Sequence, residues 1–300
     1  MKRLLVTGAT GFIGRETLSI AQAAGFEVHG LSRSHGVMNG PDGVIWSLGD
    51  LRNGDEAEAL IRRIKPTHVL HSAWVTEHGA YWTSPDNLDW LAASARLLRS
   101  FVDAGGRRFV GVGTCAEYDW HGDGHKIEGK TPETPATFYG RMKLAHHHML
   151  MAAAEQLGFS AATGRIFFVF GPRESPARVV AHACQSLAKR VPAVFSSGAQ
   201  RRDFLPVSDA AHGLVALIDS DLSGAVNVSS GEARPLREII SVIGDIAGRP
   251  DLLRFDPNRD RPGDPPLICG DNSKLSTTGW RPKRELREAL SEVYAHFKRE

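Results

Sequence analysis

Tyr139-Gly140-Arg141-Met142-Lys143 sets a phenol and an ammonium at i and i+4, on one face of a helix. A phenol with an ordinary pKa of about 10 is a poor proton carrier at neutral pH. A lysine within reach favours the phenolate, and each tenfold gain in acidity corresponds to about 1.4 kcal/mol. Such a pair can give a proton to a carbonyl oxygen or take one from a hydroxyl. The spacing arises often by chance, so its weight depends on what accompanies it.

The accompaniment is Thr7-Gly8-Ala9-Thr10-Gly11-Phe12-Ile13-Gly14, about 125 residues earlier. The three glycines follow the apolar run Leu4-Leu5-Val6 and open an apolar helix. They permit a tight turn, close approach of backbone to a pyrophosphate, and close packing of helix on strand. The helix N-terminus turns its partial positive charge toward the phosphates. The loop residues Gly8, Thr10, Gly11, Phe12, Ile13 and Gly14 therefore predict a dinucleotide site, and a nicotinamide would move hydride while Tyr139 moves the proton.

The end of the second strand bears on which dinucleotide. An NAD site usually carries an acid there for the ribose hydroxyls. This chain reads Leu31-Ser32-Arg33-Ser34, with no acid. Arg33 and the serines suit a 2′-phosphate, so NADP is expected and NAD remains possible; the alternative is a solvated loop arginine. Asp50-Leu51, after the third strand, reads equally as an adenine contact or a simple turn.

The elements that must hold these groups alternate. Strand-like runs cover Arg3 to Thr7, Glu27 to Leu31, Val44 to Leu48, His68 to His71, Arg108 to Val112 and Ser160 to Ile166. Helix-like runs cover Ile13 to Ala24, Gly54 to Ile64, Asp86 to Ala104 and Thr137 to Leu157. This predicts an α/β fold with a doubly wound parallel Rossmann sheet. Gly105-Gly106 reads as an αL cap. After Gly171-Pro172 the rhythm loosens. Asp209 to Asp219 and Leu236 to Ala247 look like amphipathic helices, and Phe255 to Pro266 like an ordered loop. The expected division is an NAD(P)-binding domain over 1–170 and a smaller, partly interleaved C-terminal substrate lobe over 171–300, some of whose segments return to the sheet.

Composition narrows the partners. Formal net charge is +2, from 36 basic and 34 acidic residues, and no Lys/Arg run is long enough for a nucleic-acid patch. The three cysteines are far apart, without a Cys-x-x-Cys, which argues against a disulfide framework or thiolate metal site and fits a reducing cytoplasm. The opening apolar run stops at Gly8 and reads as a strand rather than a leader; no stretch approaches the roughly 20 apolar residues of a membrane span. His146-His147-His148 cannot converge on one ion, since helical neighbours point about 100° apart; a solvated or subunit-facing surface is expected, and no metal.

Over nearly its whole length the chain resembles the extended short-chain dehydrogenase/reductase family: the NAD(P)-dependent nucleotide-sugar epimerases, dehydratases and reductases. The glycine loop and Tyr139/Lys143 carry the likeness, with His71-Ser72-Ala73 after the fourth strand and Arg165 to Pro172 (RIFFVFGP), similar to R-x-x-N-V-Y-G-P. Further matches are Arg202-Asp203-Phe204, Val207, Asp209, Ser230-Gly231-Glu232, Arg261-Pro262-Gly263-Asp264 and Gly279-Trp280. The resemblance implies that Ser72, Ala73 and Phe167 lie at the cofactor and that the helix bearing Tyr139 is a dimer helix. It also implies that Glu117, Tyr118, Arg202 and Arg261 lie near a nucleotide-sugar.

Three departures stand out. The segment similar to S-S-A-x-V-Y-G reads Gly113-Thr114-Cys115-Ala116-Glu117-Tyr118, so either Thr114 or Cys115 fills the hydroxyl position. Ala116-Glu117 keeps only one acid of the dehydratases' Asp-Glu pair, which counts against dehydration. Phe168 stands where R-x-x-N has Asn. Trp74, Tyr81, Trp82 and Trp120 follow strands at the ligand-binding edge and read equally as a sugar or base pocket or as loop packing. Arg173, Arg202 and Arg261 are candidates for a diphosphate clamp. The functional expectation is an NADPH-dependent reductase of a 4-keto nucleotide-sugar, or a 4-epimerase with retained cofactor. A non-catalytic NADP-sensing protein is a further class, against which the intact Tyr139/Lys143 pair argues.

Overall fold

The structure, a computed structural model, describes residues 2–35, 38, 40–122 and 124–299. Its first part alternates β1 (Lys2–Thr7), α1 (Gly14–Ala23), β2 (Phe26–Ser32), β3 (Ile45–Leu48), α2 (Gly54–Ile64), β4 (His68–His71), α3 (Asp86–Asp103), β5 (Arg108–Thr114), α4 (Phe138–Leu157) and β6 (Ser160–Ile166). Then come β7 (Phe168–Phe170), α5 (Val179–Ala188), β8 (Ala193–Phe195), β9 (Arg201–Pro206), α6 (Val207–Ile218) and β10 (Gly224–Val228). The chain continues through β11 (Ala233–Pro235), α7 (Leu236–Ala247), β12 (Leu253–Phe255), β13 (Leu267–Ile268), α8 (Ser273–Ser276) and α9 (Leu286–Arg299).

Seven strands form one parallel sheet in the order β10-β6-β5-β4-β1-β2-β3. The expected doubly wound α/β fold is present. Strand side chains alternate between two cores, as the two-residue period requires. Leu4, Val6, Leu70, Val110 and Ala162 face α1 and α6, while Leu5, Val69, Phe109 and Ala161 face α2, α3 and α4. Central strands buried on both faces read as continuous apolar runs, which is what Leu4-Leu5-Val6 is.

β5 runs two residues beyond the expected Val112, which carries Thr114 to the carboxyl edge. α4 starts at a Thr137 cap that accepts the Gly140 amide at 3.0 Å and stops at Gly158, whose φ of 72° suits a glycine. A third core under α5, α7 and α9 supports a small sheet of β11, β9 and β13, with β7 also paired to β9. Phe255 to Pro266 is mostly loop with one 3-10 turn. No helix among the described residues is long and apolar enough to cross a membrane.

Candidate active site

At Gly8 the backbone turns with φ of 67°, and the Gly11 amide closes the turn on the Gly8 carbonyl at 2.9 Å. A Cβ on Gly14 would lie 2.3 Å from that same carbonyl, so only glycine lets α1 come this close to β1. Thr10, Phe12 and Ile13 are half-buried and Gly11 exposed, at the start of α1. The first amides of a helix point outward along its axis, which suits phosphate oxygens.

The end of β4 braces the loop from below. Ser72 Oγ donates to the Thr7 carbonyl at 2.7 Å, and a Cβ on Gly8 would meet both Ser72 Oγ and the Ala73 amide nitrogen at 2.8 Å. Thr7 Oγ1 and His71 Nδ1 lie 2.7 Å apart, and His71 Nε2 reaches Ser94 Oγ at 2.8 Å. Burial pushes His71 down to about 3, so the ring is neutral.

Tyr139 lies in the first turn of α4, near Thr114 at the carboxyl end of β5. Burial raises the phenol well above its ordinary pKa, and the Thr114 contact opposes the rise. Tyr81 stacks edge-on at 4.9 Å and Trp82 at 5.7 Å, with Trp120 beyond Trp82 at 6.1 Å. Lys143 is buried one turn along, donates to the Val112 carbonyl at 2.9 Å, and is pushed down to about 7 by loss of water. Cys115 is packed among Tyr118, Phe167 and Ile268, where burial pushes its thiol up to about 12. Of the two hydroxyl candidates, Thr114 is the one that favours the Tyr139 phenolate, while Cys115 lies in an apolar cluster.

Several expected ligand contacts face inward instead. Glu117 is fully buried; its carboxylate accepts the Thr114 amide at 2.8 Å and Arg165 Nε at 2.7 Å, and Arg165 also pairs with Glu133 at 2.7 Å. Tyr118 donates to Asn227 Oδ1 at 2.8 Å beneath that guanidinium. Trp74 donates its indole N–H to Asn87 at 2.8 Å. Leu51, expected near an adenine, is core beside Leu31 and Trp90. Phe167 packs against Cys115, and a Cβ on Gly270 would lie 2.7 Å from its ring. These side chains have their own protein partners, so contact with a ligand by Glu117, Tyr118, Trp74 or Leu51 is not what the geometry supports. Trp74 and Leu51 belong to the core under α2, α3 and α4, Tyr118 to the cluster with Cys115, Phe167 and Ile268, and Glu117 to its pair with Arg165.

The histidine run is likewise more buried than expected. His146 packs against His71 and Trp74, His147 bonds Thr163 Oγ1 at 2.9 Å, and only His148 stands out, 62% exposed beside Glu133. α4 lies against α3, β5 and β6, which covers two of the three positions. No group of three or more metal-ligating residues occurs among the described residues.

At the second strand, Ser32 is buried and bonds within its own turn, Oγ to the Ser34 carbonyl at 2.7 Å, while Arg33 is exposed. Asp50 is held below the usual carboxylate range by its hydrogen bonds with Arg52, 2.8 Å away, with a smaller contribution from Arg33. Arg202 is buried and paired with Asp264 at 2.7 Å, Arg261 is exposed, and Arg173 lies 3.7 Å from Glu16. Asn87, Arg165, Glu133 and Asn227 escape sequence reasoning as parts of the site, because each acts on a partner remote in sequence. Arg165 alone has a signal, as the first residue of its motif.

The profile described as "NAD dependent epimerase/dehydratase family" matches residues 4–229, and the chain belongs to that family. It is 29% identical over 97% of its length, and 94% of the relative's, to a dTDP-6-deoxy-L-talose 4-dehydrogenase (NAD(P)(+)) of Kitasatospora kifunensis. It is 25% identical over 98% of its length, and 92% of the relative's, to a probable GDP-L-fucose synthase of Oryza sativa subsp. japonica. Among solved structures, the Thermus thermophilus UDP-glucose 4-epimerase in complex with NAD superposes with a TM-score of 0.88, at 29% identity and 98% coverage of each chain. The expected NAD(P)-dependent enzyme of the extended short-chain dehydrogenase/reductase kind is thereby met.

Proposed function

We propose that this chain is an NADP-dependent oxidoreductase that reduces a 4-keto nucleotide-sugar, with Tyr139 as proton donor. The observation that carries the reading is the placing of Tyr139 near Thr114 at the sheet's carboxyl edge, with Lys143 buried one helical turn along α4. Thr114 orients the substrate oxygen and donates to it as charge builds there. Tyr139 gives its proton to the same oxygen, and Lys143 favours the phenolate left behind. The nicotinamide supplies the hydride when bound. Tyr81, Trp82 and Trp120 screen the phenol from water.

The residues present fit the dinucleotide. The glycine loop admits the close approach a pyrophosphate needs, and Ser72 and Ala73 lie directly beneath it. Arg33, exposed after β2 where no acid stands, is assigned to the 2′-phosphate. Arg261 is assigned to the substrate diphosphate, and the exposed flank of α4 around His148 to a second copy of the chain. All three cysteines are free and buried, in keeping with a reducing cytoplasm. The 4-dehydrogenase relative supports a reaction at C4 of a nucleotide-linked sugar.

A second reading, a 4-epimerase that retains NAD(P), is favoured by the likeness to the Thermus epimerase. Mass spectrometry of the purified protein for a bound dinucleotide, followed by a screen of nucleotide-linked 4-keto sugars for NADPH consumption, separates the two. Stoichiometric NADPH oxidation supports reduction. Retained NAD with sugar interconversion and no net NADPH use selects the epimerase.

A further inference from the structure

Lys143 Nζ lies 4.0 Å from the centroid of the Trp74 ring, and both residues are buried. The indole is held from its rim. Its N–H donates to Asn87 Oδ1 at 2.8 Å, and Asn87 Nδ2 donates in turn to the carbonyls of Tyr81 and Ser84 at 2.8 and 2.9 Å. Asn87 is fully buried, so these bonds fix its amide. His146 packs on the indole edge-on at 5.9 Å. The ring is a pinned plate beneath the ammonium, not a platform facing a sugar.

We propose that Trp74, pinned by Asn87, is a positioning residue for Lys143, its π face holding the side chain ionised at the place from which it serves Tyr139. The proposal rests on the proton-transfer reading above and deepens it. A buried ammonium sheds its proton readily, and an aromatic face compensates part of the lost hydration. The other titratable groups facing Lys143 are Glu117 from the turn after β5, His71 from β4 and His146 on α4. Burial keeps both histidines neutral, and Glu117 is committed to Arg165. The Val112 carbonyl and the indole face therefore supply the close contacts of the ammonium.

The test is an NMR titration of the full chain labelled with 13C at lysine Cε, with Lys143 assigned by Lys143→Arg. Neither cofactor nor substrate is added. Trp74→Leu should lower the Lys143 midpoint by about 0.5 to 1.5 in pH, the range a cation–π contact spans. Trp74→Phe keeps a π face and should stay nearer wild type. The alkaline limb of kcat against pH, with a confirmed substrate, should move to lower pH by the same amount. An unchanged midpoint in Trp74→Leu, with activity reduced equally at every pH, would overturn the proposal and leave Trp74 as packing. If Trp74→Leu does not fold, Trp74→Met fills the space without a π face and is judged by the same midpoint. Because the midpoint needs no substrate, a fall in it alongside a fully active Tyr139→Phe would count against the reductase reading and not against the π contact.

Discussion

Glu117 and Thr114 cap one another. Glu117 Oε1 accepts the Thr114 amide at 2.8 Å, and Thr114 Oγ1 accepts the Ala116 amide at 3.2 Å. That amide occupies a lone pair of the hydroxyl and leaves its proton free to point toward the Tyr139 side. The residue that resemblance places at the substrate is thus the clamp that aims its neighbour.

Thr114→Val keeps the shape and removes the donor. It should cost on the order of 2–4 kcal/mol of barrier, read as a fall in kcat. Cys115→Ala, in the packed cluster behind, should be mild. A crippled Cys115→Ala beside a healthy Thr114→Val would reverse the two assignments.

Arg165 and Glu117 form a buried pair with both side chains fully covered. Arg165→Met strands a carboxylate and should destabilise by about 3–5 kcal/mol in denaturant melts. Adding Glu117→Gln should recover part of the loss. A single variant that melts like wild type would show that the pair does not hold this region.

Tyr139→Phe removes one oxygen atom. Fold and NADPH binding should persist while turnover drops by about a hundredfold or more. Steady-state rates with dissociation constants from protein fluorescence check both halves. A near-normal rate would take Tyr139 out of its role.

Arg33→Asp replaces a phosphate partner with a like charge. NADPH should bind more weakly by roughly 2 kcal/mol, with NADH little changed. Calorimetric titration of both cofactors decides. A wild type that prefers NADH would refute the reading of this strand end.

Much of the fold is legible in the residues, and the illegible parts share a cause. α2, β4, β6 and α7 fall at their expected bounds because glycine, proline and apolar period mark them locally. The Tyr139/Lys143 pair and the glycine loop are legible because each is a local spacing of residue types, although what they touch, Val112 and Trp74 for Lys143 and Ser72 for Gly8, is remote. Glu117 and Arg165 meet across 48 residues, and Trp74 and Asn87 across 13, with nothing in the spacing to announce it. β7, β11 and β13 are two or three residues long, too short for a two-residue period to show.

Glu174 offers a pH signature apart from the site. Its carboxyl is buried and pushed up to about 7, by desolvation first, with Arg178 opposing. A carboxyl whose folded pKa is raised binds more protons folded than unfolded between about 4.5 and about 7, so stability is lost as pH rises through that window. Glu174→Gln should therefore gain on wild type as pH rises from 4.5 to 7, by an amount on the order of 3 kcal/mol. Melts of both proteins at pH 5 and 8 give the difference. A constant gap would mean that the group titrates normally.

β10 is the edge strand beside β6, yet it follows β6 in the chain by way of β7, α5, β8, β9 and α6, and pairs back in parallel from Gly224 beside Ala162 to Val228 beside Ile166. On a ribosome the nucleotide-binding layer is therefore incomplete until residue 228 has cleared the exit tunnel. Until then β6 has an open edge of unpaired amides and carbonyls. A nascent chain that has emerged only as far as residue 170 would carry the glycine loop, Tyr139 and Lys143 in a sheet with that edge unprotected. This is the stage of synthesis at which a chaperone has the most to shield.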